Sequence, residues 1–306
     1  MDSLFEYRNC PNCGRDDFTV LFDSNMGEDD FQKGIETVYM LWGEAHGRHV
    51  KCKNCHLIYV NPIEKRSKIN VGYSKMENTD ASIIRGSRLR AAKSQLGLIK
   101  KYKSGTTLLD IGCGEGFFLF NASNAGYVTK GVELSQDAAA YAKKEFGLDV
   151  ESKPFEAMKL PENYFDVVTM WQVLEHLPYP LATLGKVHRI LKPGGLLVVS
   201  TPDIGGIPAK VLGKRWWDIT KLHVNQFTVE TLKAILRNAE FKNISSVSYK
   251  ENKSLLMIFI QILKYLKLYQ PLRSLLYPDS ILGKIMDKMT VFYPSRLNYS
   301  TLIGFK

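Results

Sequence analysis

Two periods of apolar and polar residues alternate along the chain. Leu108, Leu109 and Ile111 form a short apolar run with Asp110 near its end, Gly112, Gly114 and Gly116 make a turn, and Phe117, Phe118 and Phe120 then suit a buried helix face. Strand, tight loop and helix are the expectation. A second strand over 128–134 carries Glu133 at its end, and a helix starts at the N-cap Ser135 and stops near Gly147. Residues 148–151 read as a third strand, followed by a loop with Phe155 and Glu156. Thr228 caps a helix that runs to Phe241, and 243–249 read as another strand. Upstream, 82–103 sets apolar residues at helical spacing among many Lys and Arg, a lead-in helix. Strands separated by helices predict an α/β fold.

The glycine turn suggests a ligand. Glycines at alternate positions permit positive φ and leave no Cβ between main chain and a bound molecule. Dinucleotide loops follow Gly-x-Gly-x-x-Gly so that a pyrophosphate meets the helix N-terminus, and here Phe117 stands where that third glycine would fall. A ligand without a phosphate fits better. Glu133, at the end of the neighbouring strand, is placed to accept both hydroxyls of a ribose.

This stretch resembles the cofactor loop of class I S-adenosylmethionine-dependent methyltransferases, and three later blocks agree in order and spacing. The block 164–171, from Tyr164 through Asp166 to Trp171, resembles that family's fourth strand. Val173, Leu174, Glu175, His176 and Leu177 resemble its post-strand motif, and 190–200, with Lys192, Pro193, Gly194 and Gly195, its turn into the fifth strand. The resemblance covers about 106–202. It implies a seven-stranded, mostly parallel Rossmann-like sheet whose last strand, 300–305, lies antiparallel between its neighbours. S-adenosylmethionine is the implied cofactor, surrounded by Asp110, Gly112, Cys113, Gly114, Gly116, Glu133, Leu134, Phe155 and Trp171, with Glu156 facing the adenine where the family usually has Asp.

Four of the five cysteines form two C-x-x-C pairs, Cys10 with Cys13 and Cys52 with Cys55. Each pair offers two thiolates to one tetrahedral ion, so the four predict a structural zinc ribbon; two unrelated turns or a redox pair are the alternatives. The 38 residues between the pairs exceed the usual ribbon spacing and imply an insertion, with Glu28, Asp29 and Asp30 at its exposed tip. Leu57 to Pro62 and then Tyr73 resemble zinc-ribbon methyltransferases of surface-glycan and natural-product sugar pathways. The expected organisation is a ribbon over 1–62, a helical lead-in over 63–104, a cofactor-binding core over 105–250, and a helical insertion with the terminal strand over 251–306.

Composition is ordinary for a globular protein, and no apolar run follows basic residues at the start, which predicts a cytoplasmic location. The net charge of +10 is unevenly spread: 105–250 carries 16 Lys+Arg against 15 Asp+Glu, whereas 251–306 carries 8 against 3. A near-neutral core favours a small-molecule or glycan-linked acceptor over a nucleic acid. Within the insertion, 255–269 is apolar except for Gln261, Lys264 and Lys267, which mark one polar face. A lid or homodimer surface, a peripheral membrane contact through 254–293, and plain core all fit that pattern.

Methyl transfer depends mainly on positioning and needs a base only where the acceptor loses a proton. Glu175 and His176 fall at the ligand-binding edge of such a sheet, and His223 precedes the helix on the acceptor side, which favours His223 as the base. Structural roles for either histidine are the alternative. Similar enzymes acting on vicinal hydroxyls hold a divalent metal with a Glu-x-x-Glu-His cluster, but Gln172 replaces the first Glu here and weakens the case for an active-site metal. Methylation of an oxygen on a sugar or similar metabolite is the expectation, with an RNA methyltransferase or a non-catalytic scaffold as rivals.

Overall fold

The computed structural model describes residues 5–26, 45–74, 81–103, 105–266, 268, 271–272 and 280–306; Glu28, Asp29, Asp30 and the Lys267 position lie outside that set. The N-terminal part forms β1 (Phe5–Glu6), β2 (Phe18–Phe22), β3 (His49–Cys52), β4 (Ile58–Val60) and β5 (Ile63–Glu64), then helices α1 (Arg66–Ser74) and α2 (Ala81–Tyr102). The next elements are β6 (Thr107–Ile111), α3 (Phe117–Asn124), β7 (Val128–Val132), α4 (Gln136–Phe146), β8 (Val150–Glu151), β9 (Phe165–Trp171), α5 (Pro180–Ile190) and β10 (Leu191–Pro202). After α6 (Ile207–Leu212) come β11 (Asn225–Gln226), α7 (Val229–Asn238) and β12 (Lys242–Val247). The chain ends with β13 (Lys250–Ser254), α8 (Leu255–Tyr265), α9 (Ile281–Lys288), β14 (Thr290–Pro294) and β15 (Tyr299–Phe305).

Seven strands form the main sheet in the order β12-β15-β10-β9-β6-β7-β8, parallel except for β15, which runs antiparallel to both β10 and β12. Its central strands are apolar on both faces. Leu108, Val167, Leu196 and Val198 pack to one side, and Leu109, Val168, Leu197 and Val199 to the other, as expected of parallel strands covered by helices. Local signals agree with this layering. The Ser135 side chain accepts from the Ala138 N–H at the start of α4, Gly147 ends that helix at φ 65°, and Thr228 and Thr231 cap α7 reciprocally. Strand order reverses direction between β6 and β9, which opens a crevice at their C-terminal ends.

The N-terminal part does not stand apart from this sheet. A second sheet, β11-β4-β3-β2, recruits β11 from beyond the core strands, with Asn225 opposite Tyr59. Cys10, Val50, Cys52, Leu57 and Tyr59 share one continuous apolar cluster with the residues around Leu109 and Phe227. Arg8 is buried in the seam: its guanidinium donates to the carbonyls of Val60, Pro178 and Val224 and to Asn225 Oδ1. Chain segments on either side of residue 62 are therefore held together by main-chain pairing, apolar contact and a buried cation.

The insertion forms an antiparallel pair, β13 with β14, and the two helices α8 and α9. Leu256, Ile260 and Leu263 are buried, whereas Phe259 and Ile262 face solvent. Polar positions Gln261 and Lys264 belong to the sequence of α8, and their side chains are outside the described set. The polar face expected at Gln261, Lys264 and Lys267 lies outside the described side chains. Among the described residues no helix is long and apolar enough to cross a membrane.

Candidate active site

The crevice at the sheet's switch point is a cavity of about 320 Å³, within the range of small-molecule sites of roughly 300–1,000 Å³. Its floor is the glycine turn. Gly112, Gly114 and Gly116 all have positive φ, at 72°, 53° and 80°. They serve different purposes. A Cβ on Gly112 would stand 2.4 Å from Val173 Cγ2 and one on Gly116 2.6 Å from Leu148 Cδ1, so these two glycines permit close packing; one on Gly114 would meet nothing within 4 Å, and that residue lines the cavity.

Glu133 closes the turn. Its carboxylate accepts the N–H of Gly114 through Oε2 and that of Ser135 through Oε1, both at 2.8 Å, which ties the loop to the next helix cap. Burial pushes this carboxyl up, while those N–H groups and the Arg88 cation draw it back. Glu133, Leu134, Phe155, Glu156 and His176 line the cavity with Gly112 and Gly114. Asp110, Cys113, Gly116 and Trp171 do not. Asp110 lies beneath, accepting from Thr169 Oγ1 at 2.6 Å, and burial pushes it up to about 8. The Cys113 sulfur fills the space that a side chain on Gly131 would need, and Trp171 packs edge-on against Phe118 and Tyr249. These four support the pocket from behind.

Glu156 is already engaged, by Thr183 Oγ1 at 2.8 Å and Arg66 at 2.6 Å. Lys186 reinforces this wall, lying 4.6 Å from the Phe155 ring centre and donating to the carbonyls of Phe155, Glu156 and Met158. Arg66 and Arg88 line the cavity too, and sequence reading did not single them out. The excess of Lys and Arg ahead of the core was their available signal. Cationic side chains on α1 and α2 suit a ligand with a carboxylate.

At the far end of the cavity a single turn, Leu174–His176, follows β9. The ligand atoms of Glu175, His176 and His223 all lie within 4.8 Å of one another, and the two imidazoles meet edge-on at 4.7 Å between centres. His176 Nδ1 is 3.0 Å from the Leu222 carbonyl and His223 Nδ1 2.7 Å from that of Asp218, which sets the N–H at Nδ1 and the lone pair at Nε2 in each. Burial draws His176 down to about 4; burial and then the neighbouring His176 draw His223 down to about 3. Both are neutral at physiological pH. Glu175 is buried with neither carboxylate oxygen hydrogen-bonded among the described residues, and burial pushes its pKa far up. His176 lines the cavity and His223 does not, so the ring favoured from sequence sits behind the other.

The four N-terminal sulfurs also converge within 4.8 Å, with Cys10 and Cys55 3.4 Å apart and Cys13 and Cys52 3.5 Å apart. Zinc–thiolate bonds of about 2.3 Å in a tetrahedron set sulfurs roughly 3.8 Å apart, so the cluster fits that ion with little adjustment. All four are free thiols. A proton shared across Cys10 and Cys55 pushes the first up and the second down, a conflict that a cation removes.

Residues 83–246 match a family model described as "Methyltransferase domain". Over 104 residues the chain is 34% identical to the ubiquinone biosynthesis O-methyltransferase of Pseudomonas paraeruginosa, covering 32% of this chain and 45% of that one. Against the same-named protein of Methylococcus capsulatus the identity is 35% over 104 residues, covering 32% and 44%. The chain thus spans under half the length of these curated relatives. Among solved structures, an S-adenosylmethionine-dependent methyltransferase from Archaeoglobus fulgidus superposes with a TM-score of 0.51 at 22% identity, covering 74% of this chain and 97% of that one. Phosphoethanolamine N-methyltransferase 2 of Haemonchus contortus, in complex with S-adenosyl-L-methionine, gives 0.51 at 18% identity, covering 81% and 62%. At these identities the two structures bear on the fold alone.

Proposed function

The chain belongs to the methyltransferase-domain family, and from that premise we propose that it methylates an oxygen of a small-molecule or glycan-linked acceptor. S-adenosylmethionine, when bound, supplies an electrophilic methyl group on a sulfonium. The residues present suit it: a cradle without a phosphate-binding helix end, a carboxylate at Glu133 for the ribose, apolar Phe155 and Leu134 for the base, and cationic Arg88 for the amino-acid carboxylate.

The observation that carries the reading is the neutral His176 in the cavity wall, backed by His223 and Glu175. An acceptor hydroxyl gains nucleophilicity as its proton passes to His176 Nε2, while the Leu222 carbonyl holds the opposite N–H and so fixes the ring. His223 is close enough to accept that proton next. Relatives named for ubiquinone O-methylation support an oxygen as the target. Glu175 with both oxygens unpartnered favours one further reading, in which the same three side chains hold a divalent cation that lowers the acceptor's pKa.

Purified protein given S-adenosylmethionine and a metabolite extract is expected to yield a product heavier by one methylene. Cofactor binding without any such product supports a scaffold and contradicts the proposal; a methylated RNA moves it to the nucleic-acid class. Turnover abolished by a chelator that leaves the four-cysteine ion in place assigns the Glu175, His176 and His223 cluster to a cation.

A further inference from the structure

The helices of the C-terminal insertion are apolar beyond the side that packs. On α8, Leu256, Ile260 and Leu263 recur at helical spacing and are buried, while Phe259, Ile262 and Leu266 just past its end form a second stripe, 38%, 49% and 55% exposed. The neighbouring α9 repeats this with Leu282, Ile285 and Met289, 48%, 53% and 51% exposed. A surface helix of a soluble domain ordinarily buries one stripe and turns charge outward. Two helices in contact that both turn an apolar stripe outward make a patch of the kind that marks an interaction surface.

Charge selects the occupant. Residues 251–306 carry 8 Lys+Arg against 3 Asp+Glu, and Lys264, Lys284 and Lys288 fall within the sequences of these two helices. Lys288 is exposed at the end of α9. A second copy pairing isologously would set this positive segment against itself, which is repulsive, whereas an anionic headgroup layer attracts it. Neither helix is long enough to span a bilayer, so the fitting arrangement is one lying in its surface.

We infer that the α8–α9 face docks on an anionic phospholipid bilayer, with the apolar stripes entering the boundary between headgroups and acyl chains and the positive charge of this segment, exposed at Lys288, attracted by the headgroups. This inference does not depend on the methyl-transfer reading.

The test mixes the full chain, zinc-loaded, with phosphatidylcholine vesicles with and without phosphatidylglycerol. Co-sedimentation is expected to be at least about tenfold stronger with the anionic lipid, and to fall about tenfold or more in high salt and in Ile262→Asp/Ile285→Asp. Because the isoleucine variant can fail to fold, Lys284→Glu/Lys288→Glu is measured beside it and is expected to lose anionic-vesicle binding with an unchanged melting temperature. Three outcomes overturn the inference: no sedimentation with either vesicle, equal sedimentation with both, or a lipid-free dimer in sedimentation velocity that Ile262→Asp/Ile285→Asp splits, which assigns the face to a second copy.

Discussion

The glycine cradle and the histidine corner share one edge of the sheet, but they are assembled in opposite ways. The cradle comes from an almost continuous stretch, in which the N–H groups of Gly112 and Cys113 donate to the Val132 carbonyl and Glu133 ties Gly114 to Ser135. Its geometry is local and mostly main-chain. The corner gathers His176, whose ring is held by the Leu222 carbonyl, His223, and the Leu177–Pro178 segment fastened by Asn225 and Arg8. His176 and His223 are remote in sequence, and Arg8, from the N-terminal part, ties the Pro178 carbonyl beside them. Cofactor affinity is accordingly expected to survive damage to the seam, whereas turnover is not.

Zinc removal should separate the two most sharply. A four-thiolate site contributes on the order of 10–16 kcal/mol to the fold of the segment that holds it. Chelation of an ion held by the four cysteines is therefore expected to unfold the N-terminal strands, lower turnover by more than about 10²-fold through loss of the Arg8 ties and of the β4–β11 pairing, and change S-adenosylmethionine affinity by less than about tenfold. Elemental analysis, circular dichroism and calorimetry on the same sample check all three. Full turnover from zinc-free protein would erase the proposed dependence of the corner on the ribbon.

Next in size is His176→Ala, expected to cost about 10²–10⁴-fold in turnover, with His223→Ala less severe because its ring does not reach the cavity. The pH profile sharpens this. With His176 held near 4 and His223 near 3, each loses its proton well below the ordinary histidine value of 6.5, so both are already neutral bases by pH 6. Turnover should be flat from about pH 6 to 8 and fall only on further acidification. An inflection near 6.5 that vanishes in His176→Ala would contradict the buried-neutral state.

Arg8→Met tests the seam without touching the four cysteines. Burial draws this guanidinium down only to about 10, so it is cationic at neutral pH, and its loss removes a donor from the carbonyls of Val60 and Pro178, while the Val224 carbonyl keeps the Val60 N–H. The expected destabilisation is about 2–4 kcal/mol, with turnover reduced and cofactor affinity retained. Denaturant unfolding together with calorimetry provides the reading.

What was legible in the sequence follows the same division. The strand through 108–111, the helix from Ser135 to Gly147 and the cap at Thr228 appear as expected, and the strand expected over 128–134 forms over Val128–Val132 with Glu133 just past its end, because these signals lie within a few residues of each other. The antiparallel last strand between β10 and β12 was implied by resemblance and is present. Pairing of β11 with β4 was not legible, since two residues carry no strand period and the partner lies far upstream. Arg66 and Arg88 escaped for a related reason: basic residues on lead-in helices look like a solvated face until they are seen lining the cavity. The preference for His223 over His176 rests on its place beyond the fifth strand, on the acceptor side implied by the resemblance, and which ring reaches the cavity depends on the path of 218–224, where no period exists.

The smallest expected effect bears on the central claim, that the glycine turn and Glu133 form an S-adenosylmethionine cradle. Calorimetric titration of that compound into the wild-type chain and into Glu133→Ala, with Glu133→Gln as the closer mimic, measures it directly. Binding to the wild type and a loss of about 1–3 kcal/mol in Glu133→Ala are predicted, the worth of charge-assisted hydrogen bonds to a ribose. Equal affinity in the wild type and a folded Glu133→Ala would contradict the assignment of the cradle.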